Sequence, residues 1–142
     1  MSKLTENFYL QEFVTKDLYK KWKDRSVIFV DERMIYLAQW IRDRFGKPMT
    51  INNWHSGGKF KYRGVRPSNC SVGASKSQHK YGRAIDFHII GISIKELHED
   101  IKDNQRLYYN YGLRVVESME KAPVWMHLDC RTTFTDYRIL WF

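Results

Sequence analysis

The sequence predicts an α+β domain, with helices packed on a small antiparallel sheet. Three observations predict it. Residues 31–45 and 93–105 carry apolar side chains at helical spacing. Residues 84–90 and 124–130 alternate with period two instead. The segments 113–117 and 124–130 are separated by only six residues, 118–123, which include Pro123 and suit a hairpin.

Taken in order, residues 4–23 read as an N-terminal segment of one or two short helices. Phe8, Tyr9, Phe13, Leu18, Tyr19 and Trp22 supply its apolar contacts. Residues 31–45 form the clearest helix: Asp31 is placed to cap it, and Met34, Leu37, Ala38, Ile41 and Phe45 make its stripe. Gly46 stops that helix and Pro48 prevents its continuation. Residues 49–54 read as a short strand. The following loop, 55–77, is rich in Gly, Ser, Lys and Arg, and loops of this length in a compact domain are usually functional. Along 84–90, Ile85, Phe87 and Ile89 share one face, and Asp86, His88 and Ile90 the other. Ser93 with Glu96 predicts a capping box opening a second helix, with Ile94, Leu97, His98 and Ile101 as its stripe. The tail, 135–142, ends in Leu140-Trp141-Phe142 and is expected to close the core.

Composition bounds the class. The chain has 142 residues, 43% of them hydrophobic and 15% aromatic, enough for one domain spanning 1–142 with its own core. No stretch approaches eighteen apolar residues, so no membrane span is expected. The first residues, Met1-Ser2-Lys3-Leu4-Thr5-Glu6-Asn7, lack the apolar core of a signal peptide, so synthesis in the cytoplasm is expected. Two cysteines, Cys70 and Cys130, are too few for a disulfide framework and are expected to be reduced thiols. The charge is +8, from 24 basic and 16 acidic residues, which suits a polyanionic partner without choosing one.

The chemistry is concentrated in Ser77-Gln78-His79-Lys80-Tyr81-Gly82-Arg83-Ala84-Ile85-Asp86. An imidazole from a loop and a carboxylate from a strand make two-thirds of a catalytic zinc site, which needs three protein ligands and an open position. Trp125-Met126-His127-Leu128-Asp129 supplies the third, His127, on a second alternating segment. Hydrolysis at such a site also needs a base, and Glu117, Glu120 and Asp129 are the carboxylates near His127 in sequence. Asp129 shares a face with His127 and could orient its imidazole, while His88 shares a face with Asp86 as an outer residue. Ser77 and Gln78 are expected to hold the loop or substrate. His55, beside the long loop, is a further candidate for substrate contact.

The ten-residue segment resembles the Ser-x-His-x-x-Gly-x-Ala-x-Asp signature of the zinc D-alanyl-D-alanine carboxypeptidases. That group includes phage and bacterial cell-wall endopeptidases and shares its fold with hedgehog signalling domains. Trp125-Met126-His127-Leu128-Asp129 resembles the signature's second half, and the resemblance extends over residues 4–131. It implies a hedgehog/DD-peptidase-like fold with a zinc site on the open side of the sheet, one zinc ion held by His79, Asp86 and His127, and peptidoglycan stem peptides as substrate. Gly64-Val65-Arg66-Pro67-Ser68-Asn69 resembles the family segment whose Arg binds a substrate carboxylate. The spacing is compressed, which leaves that role open between Arg66 and Arg63; Arg66 is preferred. The family's base three residues before the last His is replaced here by Val124. Glu117 is chosen instead, because Val115-Val116-Glu117 before a turn and the Trp125-Met126-His127 segment resembles phage-type members.

The leading expectation is therefore a monomeric zinc peptidase of phage or prophage origin, acting on the cell wall after release or as part of a virion. Two other classes compete. One is a zinc-containing but inactive virion-structural or cell-wall-binding module, which a missing carboxylate near the open position would favour. The other is a nucleic-acid-binding protein, motivated by Lys59, Lys61, Arg63, Arg66, Lys76, Lys80 and Arg83 around one loop; no recognition motif accompanies them.

Overall fold

The computed structural model describes residues 2–142. Four helices, α1 (Lys16–Trp22), α2 (Glu32–Phe45), α3 (Ile94–Asp103) and α4 (Gln105–Asn110), accompany five strands: β1 (Met49–Thr50), β2 (Ala84–Ile89), β3 (Val115–Val116), β4 (Met126–Asp129) and β5 (Leu140–Trp141). The sheet order is β1-β2-β4-β3-β5. All its pairings are antiparallel except β3 with β5, which run parallel. The sheet is therefore mixed, and the tail adds an edge strand that the sequence did not announce.

Each long element has a local cause. Asp31 caps α2 by accepting from Arg33 N, and Gly46 ends it in the left-handed region at φ 62°. Ser93 caps α3 by accepting from Glu96 N at 3.1 Å. The reciprocal Glu96 bond expected of a capping box is not formed among the described residues. The second helix ends at Asp103, because Asn104 leaves helical geometry at φ −134° and its side-chain amide donates to Asp100 O at 2.9 Å. A further helix, α4, that the sequence did not predict follows it. In the N-terminal segment a single 3-10 turn, Leu10–Glu12, precedes α1, and Thr15 caps α1 through its hydroxyl.

Met34, Leu37, Ala38 and Ile41 of α2 pack with Leu97 and Ile101 of α3 and with the inward residues of β2 and β4, namely Ile85, Phe87, Met126 and Leu128. Every one of these is almost wholly withdrawn from water. The intervening strand residues face the other side. Cross-strand pairing places Asp86 opposite His127 and Ala84 opposite Asp129. On the far side of β4, Val116 pairs with Leu128, so Glu117 falls beside His127, and Glu117 N donates to His127 O at 3.2 Å. Beyond it, Val116 pairs with Trp141, which brings Phe142 alongside Glu117. The register thus lines up Asp86, His127, Glu117 and Phe142 across the outer face of the sheet, where directly opposed residues lie about 4.5–5.5 Å apart at Cβ.

Candidate metal centre

His79 reaches this row from the 3-10 turn Gln78–Tyr81, whose start is capped by Ser77 accepting from His79 N at 3.3 Å. Gly82 ends the turn at φ 69°, and a Cβ there would lie 1.9 Å from Phe29 O. Only glycine tolerates that combination of backbone angle and approach. The chain then enters β2 and delivers Asp86 four residues on. His79, Asp86 and His127 each offer a ligating atom, these atoms lie within 4.8 Å of one another, and all three residues are buried.

Every ligating group is held by its other end. His79 Nδ1–H donates to Gly64 O at 2.8 Å, which leaves Nε2 facing Asp86 Oδ1 at 3.1 Å. His127 Nε2–H donates to Asp129 Oδ2 at 2.9 Å, which leaves Nδ1 facing the same Asp86 oxygen at 2.9 Å. Asp129, fully buried, is in turn gripped by Arg131 through Nε at 2.8 Å and Nη2 at 2.5 Å. Asp86 Oδ2 accepts from Arg66 Nη2 at 3.2 Å. With the outer nitrogens committed as donors, each imidazole is left with one nitrogen aimed at Asp86 Oδ1, a position that either a proton or a metal can fill. Two imidazoles and a carboxylate converging in a buried site, each fixed by its outer end, are a donor set that fits a divalent metal.

The titration behaviour expresses a demand for positive charge. Burial works to raise the Asp86 carboxyl, but His79 and His127 outweigh it and hold Asp86 well below the usual carboxylate range. Burial likewise opposes charge on His127, yet Asp129 and Asp86 push its imidazole up to about 9.

Glu117 stands at the edge of this cluster, with Oε2 3.8 Å from His127 Nδ1 and the side chain partly open to solvent. It lines a cleft of ≈ 420 Å³ together with His79, Asp86, His127, Arg66 and Gln78. Glu120 lies exposed in the turn, away from that cleft. Ser77, Trp125, Arg131 and Phe142 complete the walls relevant here. Gln78 Oε1 is buried without a partner among the described residues. Arg66 is nearly buried, donates through Nε to Tyr62 O at 2.7 Å, and presents Nη1 against Gly73.

Other sequence candidates lie elsewhere. Arg63 stacks on Phe60 with its guanidinium 3.5 Å from the ring centroid and meets His88 Nδ1 at 2.8 Å, outside the cleft lining. Arg63 touches the site only through its carbonyl, which accepts from Asp86 N at 2.7 Å. His88, whose backbone pairs with Thr50 of β1, meets Arg63 and packs edge-on against Phe60, and bonds to none of the three candidate ligands among the described residues. His55 packs edge-on against Trp54 and does not line the cleft. Val124, expected to begin an alternating strand, is 70% exposed and precedes β4. Cys70 and Cys130 are both free, the second buried.

Sequence reasoning missed three participants. The Gly64 carbonyl carries no residue-type signal, although the loop's close approach to Phe13 O, 2.2 Å from a Cβ built at Gly64, explains why glycine stands there. Arg131 was visible only as a basic residue after the second motif. Phe142, assigned to core closure, instead presents its ring 6.2 Å from that of His127.

No curated protein and no solved structure matches the chain. A protein-family model described as Peptidase M15 matches residues 11–118, more than half of the chain. That span includes Arg66, His79, Asp86 and Glu117 and stops short of His127 and Asp129. By that match the chain belongs to the Peptidase M15 family.

Proposed function

We propose that this protein is a zinc peptidase that hydrolyses a peptide bond in the peptidoglycan stem, as a carboxypeptidase or endopeptidase of phage or prophage origin. One observation carries the reading: a buried His79–Asp86–His127 cluster with the Glu117 carboxylate 3.8 Å from His127 on its open side. That carboxylate also favours a hydrolase over an inactive module of the same fold.

Zinc held by His79 Nε2, Asp86 Oδ1 and His127 Nδ1 would polarise the scissile carbonyl and bring the pKa of a water towards about 7. Glu117 accepts the proton of the attacking water and returns it to the leaving amine, the role that needs a carboxylate within hydrogen-bond reach. Arg66 has Nε and Nη2 committed to Tyr62 and Asp86, which fixes the guanidinium and leaves Nη1 to receive a substrate carboxylate in the cleft. Gln78 Oε1 offers an acceptor for a substrate amide N–H, satisfying an otherwise unpaired buried atom.

Mass spectrometry of purified muropeptides after incubation with the zinc-loaded protein tests the reading. Hydrolysed stem products are expected, and their masses identify the bond. Intact muropeptides in the presence of fully loaded protein would sink it. His79→Ala is expected to lose most of the metal and all hydrolysis while remaining folded; a fully loaded His79→Ala protein would dissociate His79 from the metal.

A further inference from the structure

A second cleft of ≈ 420 Å³ lies between α1 and the loop carrying Trp54 to Pro67. Three aromatic side chains, Trp22, Trp54 and Tyr62, line it, and three lysines, Lys16, Lys21 and Lys61, accompany them with Asp17 as the sole carboxylate. Trp54 Nε1–H donates to Val14 O at 2.8 Å, so the polar edge of this ring is already satisfied within the fold. Trp22 is braced edge-to-face against Phe29 at 5.4 Å between centroids. Helix α1 has no fully buried residue, its Leu18 and Trp22 being only half covered, yet a seven-residue helix depends on packing rather than propensity for stability. Its apolar side is left partly uncovered over the cleft.

The two clefts share a wall. Tyr62 lines the second, and its carbonyl fixes Arg66, which lines the first; Pro67, next to Arg66, lines the second. We infer that the second cleft binds an acidic glycopeptide, with a sugar ring stacked on the aromatic side chains and peptide carboxylates paired with Lys16, Lys21 and Lys61. The identification of this ligand as substrate-linked rests on the peptidase reading: a stem peptide bound at the metal cleft carries a sugar at its other end. Rigid aromatic faces suit the apolar face of a sugar, which gives contact area at small entropic cost. The excess of lysine over carboxylate supplies the charge complementarity.

N-acetylmuramyl-L-alanyl-D-isoglutamine, a soluble glycopeptide with a free carboxylate, is the probe, titrated into the full chain while the indole N–H resonances are followed. Shifts at Trp22 and Trp54, with affinity falling as salt rises, are expected. Trp22→Ala should weaken binding at least tenfold. Lys16→Glu/Lys21→Glu, which changes only exposed positions, should do the same and decides the matter where Trp22→Ala fails to fold. Shifts confined to Trp125 in the metal cleft, affinity unchanged in the lysine double variant, no binding at millimolar probe, or tighter binding of oligothymidylate at equal ionic strength would each overturn the inference. A protein that binds the probe at Trp22 and Trp54 but hydrolyses no stem peptide would defeat the peptidase reading and leave this cleft standing.

Discussion

His127 shows how one side chain is assigned two tasks by its neighbours. Its Nε2 is spent on Asp129, and Nδ1 is thereby turned towards Asp86 and the side of Glu117. Asp129→Asn removes the charge that anchors both His127 and Arg131, so metal affinity should fall about 10–100-fold with the fold intact. Isothermal titration with zinc measures it, and unchanged affinity would reduce Asp129 to a packing residue. Glu117→Gln keeps the size and the main-chain bond to His127 but loses the proton acceptor. It should retain metal and lose at least about a hundredfold in hydrolysis rate, the lower end of what general-base help is worth. A variant as active as the parent would return the base to another group. At this scale the sequence showed most of what matters, because His79, Asp86, His127 and Glu117 have side chains that declare their chemistry. Gly64 did not, since its contribution is a carbonyl common to every residue.

Among the elements, the first 3-10 turn carries a pH dependence that can be worked through. Glu12 Oε2 accepts from Tyr9 N at 2.8 Å, holding the turn's start. Burial outweighs that bond and pushes its carboxyl from 4.5 up to about 7. A raised acid pKa means the folded state binds the proton more tightly than the unfolded one. Stability from this group is therefore present below about pH 4.5 and is lost as pH rises to about 7. One pKa unit corresponds to about 1.4 kcal/mol, so the loss is on the order of 1–3 kcal/mol after allowance for partial exposure. Glu12→Gln keeps an acceptor for Tyr9 N and should flatten the stability profile between pH 5 and 7, roughly that window, in urea titrations. An unchanged slope would place the titration elsewhere. The same scale shows where the sequence reading runs too far: the helix is carried to 105 although its stripe ends at Ile101, and Asn104 breaks it by binding Asp100. Conversely, β5 has two residues and pairs in parallel, a connection too short and too dependent on distant partners to leave an alternating pattern.

Across the whole molecule, the core and the candidate metal cluster occupy opposite faces of one sheet. Helices α2 and α3 were legible from their stripes and caps, and the two motifs from their residue types, but α4 was not. The sheet order was not, because nothing in β2 or β4 alone says that they are neighbours; the pairing of Asp86 with His127 is what joins two distant motifs into one site. This separation has a thermodynamic consequence. Among the described residues the apolar core around Phe87, Leu37 and Leu128 includes none of the proposed ligands, so chelation should leave the fold in place. Metal bound to the folded state alone still adds stability by mass action, about 2.7 kcal/mol at a hundredfold excess over Kd. For a chain of this size each kcal/mol is worth roughly 2–4 °C, so calorimetry should show Tm falling by about 5–10 °C on metal removal, with one cooperative transition retained. His79→Ala should show the lower Tm with or without added zinc. Loss of the transition on chelation would mean that the metal organises the core as well as the site, and the division between the two faces of the sheet would have to be abandoned.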